Sequence, residues 1–209
     1  MMDHMDHTGV DRKEETDIDI REENWRELLE TCSNCEKCGL HKTRNNVVFG
    51  KGSHDAKILF VGEAPGETED REGLPFVGRA GKLLDKYMAA VDFTLENIYI
   101  ANILKCRPPN NRDPDNSEQD CCIDYLRTQT KLLEPKIIVC LGRIAAMRLI
   151  KPDFKITSEH GKWFVKNGIF MCAVYHPSAL LRDPAKKGDM LTDMKIIREK
   201  YDELIGGNA

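Results

Sequence analysis

Short apolar runs alternate with helical patterns along this chain, and no other feature of the sequence restricts its fold as much. Four runs are typical of buried strands, at residues 57–61, 98–104, 136–141 and 169–175. Apolar spacing predicts helices at residues 79–91, from Ser117 to about residue 133, at 143–150 and at 189–204. Strands and helices in this order form a parallel sheet covered on both faces. The sequence therefore predicts a three-layer α/β/α fold with a central, mostly parallel four-stranded sheet.

Residues 163–166 could pair with the last predicted strand across a turn at Asn167-Gly168. The chain has 209 residues, 41% of them apolar, which is enough for one domain with a sizeable core. Residues 1–30 contain eleven acidic and four basic residues, and an acidic leader with few apolar residues buries too little surface to offset its ordering entropy. We expect residues 1–24 to be a disordered tail and residues 25–209 to form a single domain.

Three unusual loops follow predicted strands: GEAPGETED after the first, KCRPPNNRDP after the second and HPSALLR after the last. In an open α/β sheet the ligand binds beyond the carboxyl ends of the strands. We therefore expect the three loops to converge on one edge. For the first loop taken alone, a sharp turn with solvated acidic side chains explains the residues equally well.

Eight cysteines in a chain without a secretion signal indicate metal ligands or buried thiols rather than disulfides. Four of them have metal-site spacing, with a two-spaced pair, one cysteine in a loop and one on a helix. They are Cys35, Cys38, Cys106 and either Cys121 or Cys122, with Cys32 as a near alternative. Four thiolates suit zinc or an iron–sulfur cluster, although a zinc site more often uses two such pairs.

The stretches VGEAPGETEDREGLPFVGRAGKLLD, IANILKCRPPNNRDP and HPSALLR, preceded by CEKCGLHKTRNNVVFG, closely resemble the motifs of the family 4 uracil-DNA glycosylases. The resemblance extends from Cys35 to about residue 204, and the motifs occur in the family's order. Family members carry a 4Fe–4S cluster, which the resemblance maps onto Cys35, Cys38, Cys106 and Cys122. It favours Cys122 over Cys121 because CIDYLRTQ has the family's spacing of Cys, Tyr-Leu and Gln.

An enzyme of this family must flip uracil out of the DNA stack and read it in a pocket. Phe76 suits stacking on the base. Asn102 suits recognition, because its amide accepts from uracil N3–H and donates to O4, whereas cytosine presents the reverse pattern. Gly62 and His176 complete the predicted uracil-binding set. Without the surrounding motifs, Phe76 would be interpreted as a core aromatic and Asn102 as a cap or turn residue.

Breaking the N-glycosidic bond leaves negative charge on uracil and positive charge on the sugar. His176 precedes a proline, which holds its loop extended, so we expect it to donate a hydrogen bond near uracil O2. A histidine satisfied within its own loop is the alternative. Glu63 or Glu69 would orient water or stabilise the sugar, as carboxylates do in glycoside hydrolysis. These three residues are the predicted catalytic set.

DNA must also be held and kinked, and six residues are predicted to contact it: Lys82, Arg107, Arg112, Ser178, Leu181 and Arg182. Lys105 is a further candidate for phosphate contact, and Leu180 is a further candidate for a side chain that wedges into the base stack. For any single basic residue, a scattered surface charge is the simpler interpretation.

Two other functions compete with the enzyme. One is a non-catalytic uracil-DNA binding or sensing protein with an iron–sulfur cluster, and the other is an electron-transfer protein. The stretch EGLPFVGRAG lacks the inserted basic loop of relatives that bind DNA covalently, and electron transfer needs neither Asn102 nor the His176 loop. The preferred interpretation is a monofunctional uracil-DNA glycosylase that leaves an abasic site for base excision repair.

The expected partner is uracil-containing DNA, single- or double-stranded. We expect a monomer. The N-terminus has no basic region followed by an apolar core, and no window approaches the roughly 18 apolar residues of a membrane span. We therefore expect a soluble, cytoplasmic protein without membrane contact.

Overall fold

Six strands form one sheet in the computed structural model, which describes residues 8–206 and the side chains from residue 19 onward. The strands are β1 Lys51–Gly52, β2 Ile58–Gly62, β3 Tyr99–Asn102, β4 Ile137–Leu141, β5 Phe164–Lys166 and β6 Ile169–Val174. Their order across the sheet is β1-β3-β2-β4-β6-β5. The four inner strands pair in parallel, and β1 and β5 pair antiparallel at the two edges. The predicted α/β class and mostly parallel sheet are confirmed, but the predicted number of four strands is wrong.

The two edge strands account for the difference. β5 joins β6 through Asn167 and Gly168, which both have positive φ values, of 52° and 79°, as a tight hairpin turn requires. That hairpin matches the predicted pairing of residues 163–166. β1 has only two residues and pairs Lys51 with Ile100, so no apolar alternation in the sequence could indicate it.

Eight α-helices connect and flank the strands within the described residues. They are α1 Thr8–Ser33, α2 Glu67–Glu72, α3 Arg79–Ala89, α4 Asn116–Leu133, α5 Arg143–Leu149, α6 Ile156–Glu159, α7 Pro177–Arg182 and α8 Lys187–Ile205. The four predicted helices correspond to α3, α4, α5 and α8. α4 is capped by Asp115 and Glu118 in a reciprocal capping box, so it begins at Asn116, one residue before the predicted start at Ser117. No helix between residues 8 and 206 is long and apolar enough to cross a membrane.

Two apolar layers sandwich the sheet because successive strand residues point to opposite faces. In β2, Leu59 and Val61 pack in the layer formed with α1, α4 and α5, whereas Ile58 and Phe60 pack with α3, α7 and α8. All four side chains are fully buried. The continuous apolar runs of the sequence thus reflect strands that are covered on both faces.

Helix α1 differs from the sequence-based expectation, since residues 8–24 of the predicted disordered tail are helical. Trp25 is 2% exposed and stacks on His54 with ring centroids 4.2 Å apart, while Glu22 pairs with His54 at 3.0 Å. Arg21 also pairs with Asp55. These contacts hold α1 against the domain, although the acidic composition of the first residues predicted disorder. Residues 1–7 of the predicted tail lie outside the described residues, and the single domain at 25–209 stays a prediction.

Candidate active site and cysteine cage

The loops that leave β2, β3, β4 and β6 converge on a cleft of about 490 Å³ at the carboxyl edge of the sheet. We call it the sheet-edge cleft. Eight of the predicted site residues line it: Glu63, Glu69, Phe76, Asn102, Arg112, His176, Ser178 and Arg182. Gly62 packs directly behind it, and Lys82, Arg107 and Leu181 lie outside its lining. The expected convergence of the three loops is therefore observed.

Asn102 ends β3 and is 2% exposed. Its Oδ1 atom is buried, and no group in residues 19–206 donates a hydrogen bond to it. Buried polar atoms are nearly always paired, so an unpaired acceptor facing a cleft is suited to a donor that arrives with a ligand. Gly62 pairs with Asn102 across the parallel strands. A Cβ atom at residue 62 would lie 2.3 Å from Oδ1 and 2.6 Å from the Phe76 ring, so only glycine allows this close approach.

Phe76 is 6% exposed and has a φ of 52°, an unusual backbone conformation for an aromatic residue. Its ring centroid lies 6.0 Å from that of His176, with an interplanar angle of 40°. The loop is held in place by Glu69, whose Oε1 accepts hydrogen bonds from the backbone N–H groups of Val77 at 3.0 Å and Gly78 at 2.8 Å. The Phe76 ring is thus presented to the cleft by a fixed loop.

The two candidate carboxylates have different surroundings. Glu69 uses one oxygen to fix the Phe76 loop. Glu63 follows β2 directly, and its pKa is raised to about 7, first by burial and then by the nearby Asp113, while Arg143 opposes the shift. A carboxyl group with such a pKa changes its protonation state near neutral pH. Glu63 is therefore the better placed of the two for proton-linked chemistry.

His176 precedes α7, and its Nδ1 lies 2.7 Å from Ser178 Oγ and accepts a hydrogen bond from the Ser178 backbone N–H at 3.2 Å. Because Nδ1 is an acceptor, the neutral ring carries its proton on Nε2. Burial lowers the pKa of His176 to about 4; nearby Arg182 acts in the same direction, while Glu69 opposes the shift. The histidine is thus a neutral hydrogen-bond donor at neutral pH.

Most of the predicted DNA-contacting residues are exposed, as expected for groups that bind phosphate. Lys82, Arg112, Leu181 and Arg182 are exposed. Arg112 makes two hydrogen bonds to Glu118, at 2.9 and 2.6 Å, so its guanidinium is partly occupied. Arg107 donates to Asn111 at 2.8 Å.

Two further candidates from the sequence are wrong. Lys105 is 1% exposed and points into the protein, where Phe49 and Gln129 accept its hydrogen bonds, so it cannot contact a DNA phosphate. Leu180 is 0% exposed, because it packs in the core behind α7. Its neighbour Leu181 is 40% exposed on the same helix, so its contact with DNA stays a prediction.

The sequence interpretation missed the loop after β4. Gly142 has a φ of 95°, and a Cβ atom there would lie 2.8 Å from His176 Cβ, so glycine lets the two loops meet. Arg143 lines the cleft and pairs with Asp113 at 3.2 Å. The signal was present, since Gly-Arg directly follows an apolar strand in IIVCLGR.

A second concave site lies among six cysteines, which we call the cysteine cage: Cys32, Cys35, Cys38, Cys106, Cys121 and Cys122. They come from the end of α1, the loop after it, the loop after β3 and the start of α4. All six are free thiols. No three His, Cys, Asp or Glu side chains among the described residues converge tightly enough for a single metal ion. In a 4Fe–4S cluster each of the four thiolates binds a different iron, so the sulfur atoms need not converge on one point.

Hydrogen-bond donors point at the cage sulfur atoms, as they do around thiolate ligands. Arg44 Nη1 donates to Cys106 Sγ at 3.4 Å and to the Cys35 carbonyl oxygen at 2.6 Å. The Lys105 backbone N–H donates to Cys122 Sγ at 3.3 Å. Cys122 is 9% exposed, whereas Cys121 is more exposed. These residues fit a thiolate-bound iron–sulfur group, and Cys122 is better placed than Cys121.

Comparison with known proteins gives a consistent result. Residues 49–195 match the family described as "Uracil DNA glycosylase superfamily". The chain is 43% identical over 187 residues to a type-4 uracil-DNA glycosylase of Archaeoglobus fulgidus, covering 85% of this chain and 93% of the relative. It is 39% identical over 177 residues to one from Pyrobaculum aerophilum, covering 81% and 90%. A third, from Sulfurisphaera tokodaii, is 41% identical over 186 residues and is covered over 84% of its length, with 85% of this chain aligned.

Proposed function

The chain belongs to the uracil DNA glycosylase superfamily and to its type-4 group, and from this membership we propose that it hydrolyses the N-glycosidic bond of uracil in DNA. The products are free uracil and an abasic site for base excision repair. The observation that carries the proposal is the buried Oδ1 of Asn102, a residue that lines the cleft, because this atom has no partner in the described part of the chain. A flipped uracil supplies the missing donor through its N3–H group.

The base is held between Phe76, on which it stacks, and the amide of Asn102. Oδ1 accepts from uracil N3–H and Nδ2 donates to O4. Cytosine carries a bare N3 and an amino group at those positions, so the amide would face two mismatched groups in a buried site. Gly62 leaves the space in which Asn102 and Phe76 approach each other. This arrangement accounts for selection of uracil over cytosine.

Bond cleavage uses the neutral His176 and the carboxylate of Glu63. As the bond lengthens, negative charge develops on uracil O2, and the Nε2–H of His176 donates a hydrogen bond that strengthens with that charge. Ser178 fixes the tautomer from the other side of the ring. Glu63 in its charged form stabilises the cationic sugar or orients the attacking water. Glu69 acts on the site by holding the Phe76 loop.

DNA lies across the mouth of the cleft, where phosphates meet exposed basic side chains and Leu181 enters the base stack. The basic residues proposed for this contact are Lys82, Arg107, Arg112 and Arg182. Ser178 is a further contact at the start of α7. We propose that a monomer is the active form, because every residue assigned here to base binding and bond cleavage belongs to the same chain.

We also propose that Cys35, Cys38, Cys106 and Cys122 hold a 4Fe–4S cluster. The donors at Cys106 and Cys122, and the presence of these four cysteines in one concave site, support this assignment. When bound, the cluster would supply iron–thiolate bonds that join the loop after α1, the loop after β3 and α4. Its contribution in this proposal is to the stability of the fold.

The test of the activity uses an end-labelled oligonucleotide with one uracil, followed by alkali, which cuts the strand at abasic sites. We expect cleavage without an added cofactor or divalent metal, because the proposed chemistry uses side chains and water. The same oligonucleotide with thymine is the matched control and should stay intact. Tight binding without base release would contradict the enzyme and favour the non-catalytic uracil-DNA binding protein.

The test of the cluster is iron and sulfide content together with visible absorbance. We expect brown protein, and we expect Cys122→Ala to lose the iron while Cys121→Ala keeps it. Wild-type protein that contains one zinc ion and no sulfide would contradict the cluster. If the Cys122→Ala protein is brown and the Cys121→Ala protein is colourless, Cys121 is the ligand and Cys122 is not.

A further inference from the structure

Lys105 is a buried cation next to the cysteine cage. It is 1% exposed, and its Nζ donates to the Phe49 carbonyl oxygen at 3.0 Å and to Gln129 Oε1 at 2.6 Å. Both acceptors are neutral. Gln129 is itself fixed by a hydrogen bond from its Nε2 to the same Phe49 oxygen at 3.0 Å. The ammonium group is therefore held at one position in the core, although hydrogen bonds to neutral oxygens do not compensate its charge.

An ammonium group buried without a counter-charge is strongly unfavourable. No Asp or Glu within the side chains described, from residue 19 to residue 206, forms an ion pair with Lys105. Lys105 lines the cysteine cage together with Cys32 and Cys122. Its backbone N–H also donates to Cys122 Sγ at 3.3 Å. The cysteine cage is thus the neighbouring site where a compensating charge can lie.

We propose that Lys105 is the internal counter-charge of the group that the cysteine cage binds. The inference rests on the cluster proposed above. A 4Fe–4S core of charge +2 bound by four thiolates has a net charge of −2, and one buried ammonium offsets part of it. Reduction adds one electron from an external reductant to the core and makes the site more negative. A nearby fixed cation therefore favours reduction and retention of the cluster.

Lys37 provides a matched control. It also lines the cage and carries the same charge, but its side chain is exposed, with Nζ 4.7 Å from the centre of the Tyr125 ring. Water screens its charge, so removal of that charge should change the cluster little. Gln129→Met gives a second comparison, because it removes one hydrogen bond of Lys105 and leaves the charge in place.

The experiment compares purified, cluster-loaded wild-type protein with Lys105→Met, Lys105→Arg, Lys37→Met and Gln129→Met. The measurements are iron per chain, the rate at which a chelator removes the visible absorbance, and the reduction midpoint in a dye-mediated titration. We expect Lys105→Met to lower the equilibrium constant for reduction tenfold or more, which is about 59 mV for one electron. It should also lose iron several-fold faster. Lys37→Met should match the wild type, and Lys105→Arg should stay closer to it than Lys105→Met.

Equal midpoints and equal iron loss in Lys105→Met and Lys37→Met would overturn the inference and leave the proposed cluster intact. If Lys105→Met is isolated without iron, retention of iron in Lys105→Arg supports a role of charge. Loss of iron in Lys105→Arg and Gln129→Met as well would show that packing alone is required, and would overturn it. Wild-type protein without iron would overturn both the cluster and the inference.

Discussion

The sheet-edge cleft and the cysteine cage are both concave sites at loop ends, but they differ in whether their polar groups already have hydrogen-bond partners. In the cleft, Asn102 Oδ1 has no partner among the side chains that the structure describes, and Glu63 lies where burial disfavours its charge. In the cage, donors already point at Cys106 and Cys122. The cleft is therefore incomplete without a visiting ligand, whereas the cage is arranged for a group that stays.

The contrast indicates that the cleft serves ligand binding, whereas the cage serves the stability of the folded protein. Unpaired groups in the cleft are unfavourable for the folded protein and become favourable only when a base enters. If the proposed cluster is bound, the groups around the cage support the fold through it. Changes in the cleft should therefore alter catalysis and leave iron content unchanged, while changes in the cage should alter both iron content and thermal stability.

The largest effect in the cleft is expected for Asn102→Asp. The change replaces the donor that faces uracil O4 with an acceptor, so uracil excision should fall by roughly a thousandfold or more. Weak excision of cytosine is expected, because its amino group can donate to the new carboxylate. Single-turnover rates on uracil and cytosine substrates measure both effects. Full uracil activity in Asn102→Asp would place the recognition pocket elsewhere.

His176→Ala should slow excision by about a hundredfold or more, because it removes a donor whose hydrogen bond strengthens in the transition state. Binding to DNA with an uncleavable uracil analogue should be largely kept, and iron content should equal that of the wild type. An unchanged single-turnover rate would remove His176 from the mechanism. Loss of iron in this variant would contradict the separation of cleft and cage.

The pH dependence of the excision rate should follow the ionisation of the Glu63 carboxyl group. If its charged form is required, the rate falls about tenfold for each pH unit below the raised pKa of about 7 and is constant above it. His176 stays neutral until the pH approaches its lowered pKa of about 4, so it does not disturb this range. Glu63→Gln should be slower at pH 8 and nearly independent of pH. A wild-type profile that is flat between pH 5 and 8 would contradict the role of Glu63.

The contribution of Glu63 to the free energy of unfolding should decrease as the pH rises, whereas the excision rate increases. Its folded-state pKa is raised from the ordinary 4.5, so the folded state holds a proton that the unfolded state has released. The stabilising contribution is fully present below pH 4.5 and is lost as the pH rises through about 7. Denaturant unfolding at pH 5 and pH 8 should show this loss in the wild type and not in Glu63→Gln.

The smallest effect is expected for Leu181→Ala, which shortens the exposed side chain on α7. Excision from double-stranded DNA should slow by about threefold to tenfold, because a wedge helps to unstack the flipped base. Single-stranded substrate should be affected less, since its bases are already unstacked. An equal loss on both substrates would assign Leu181 to general DNA binding.

The apolar patterns of the sequence predicted the four inner strands and the helices α3, α4, α5 and α8, but not α1, the longest helix described. Apolar runs of five to seven residues and apolar spacing of three and four residues are strong local signals. They also brought Asn102, Phe76 and His176 together, because parallel strands end at the same edge. The roles of these residues stay predictions.

The errors concern residues whose position depends on distant partners. Lys105 follows an apolar run and looks like a surface charge, but its burial is set by Phe49 and Gln129, which are 56 and 24 positions away. α7 has six residues, too few for the sequence to show that Leu180 faces inward and Leu181 outward. The composition of the first 24 residues gave no sign of the anchor at Trp25.

The short segment between Asn102 and Cys106 links the two sites covalently, and it is clamped in the middle. The N–H groups of Ile103 and Leu104 donate to the carbonyl oxygens of Gly62 and Glu63, each at 3.0 Å. Oxidative damage to the cage should therefore shorten the lifetime of the molecule before it disturbs the choice of base. During oxidation, the fraction of active enzyme should therefore fall, while the ratio of uracil to cytosine excision rates of the remaining active enzyme stays constant. Active-site titration measures the first quantity, and single-turnover rates on both substrates measure the second.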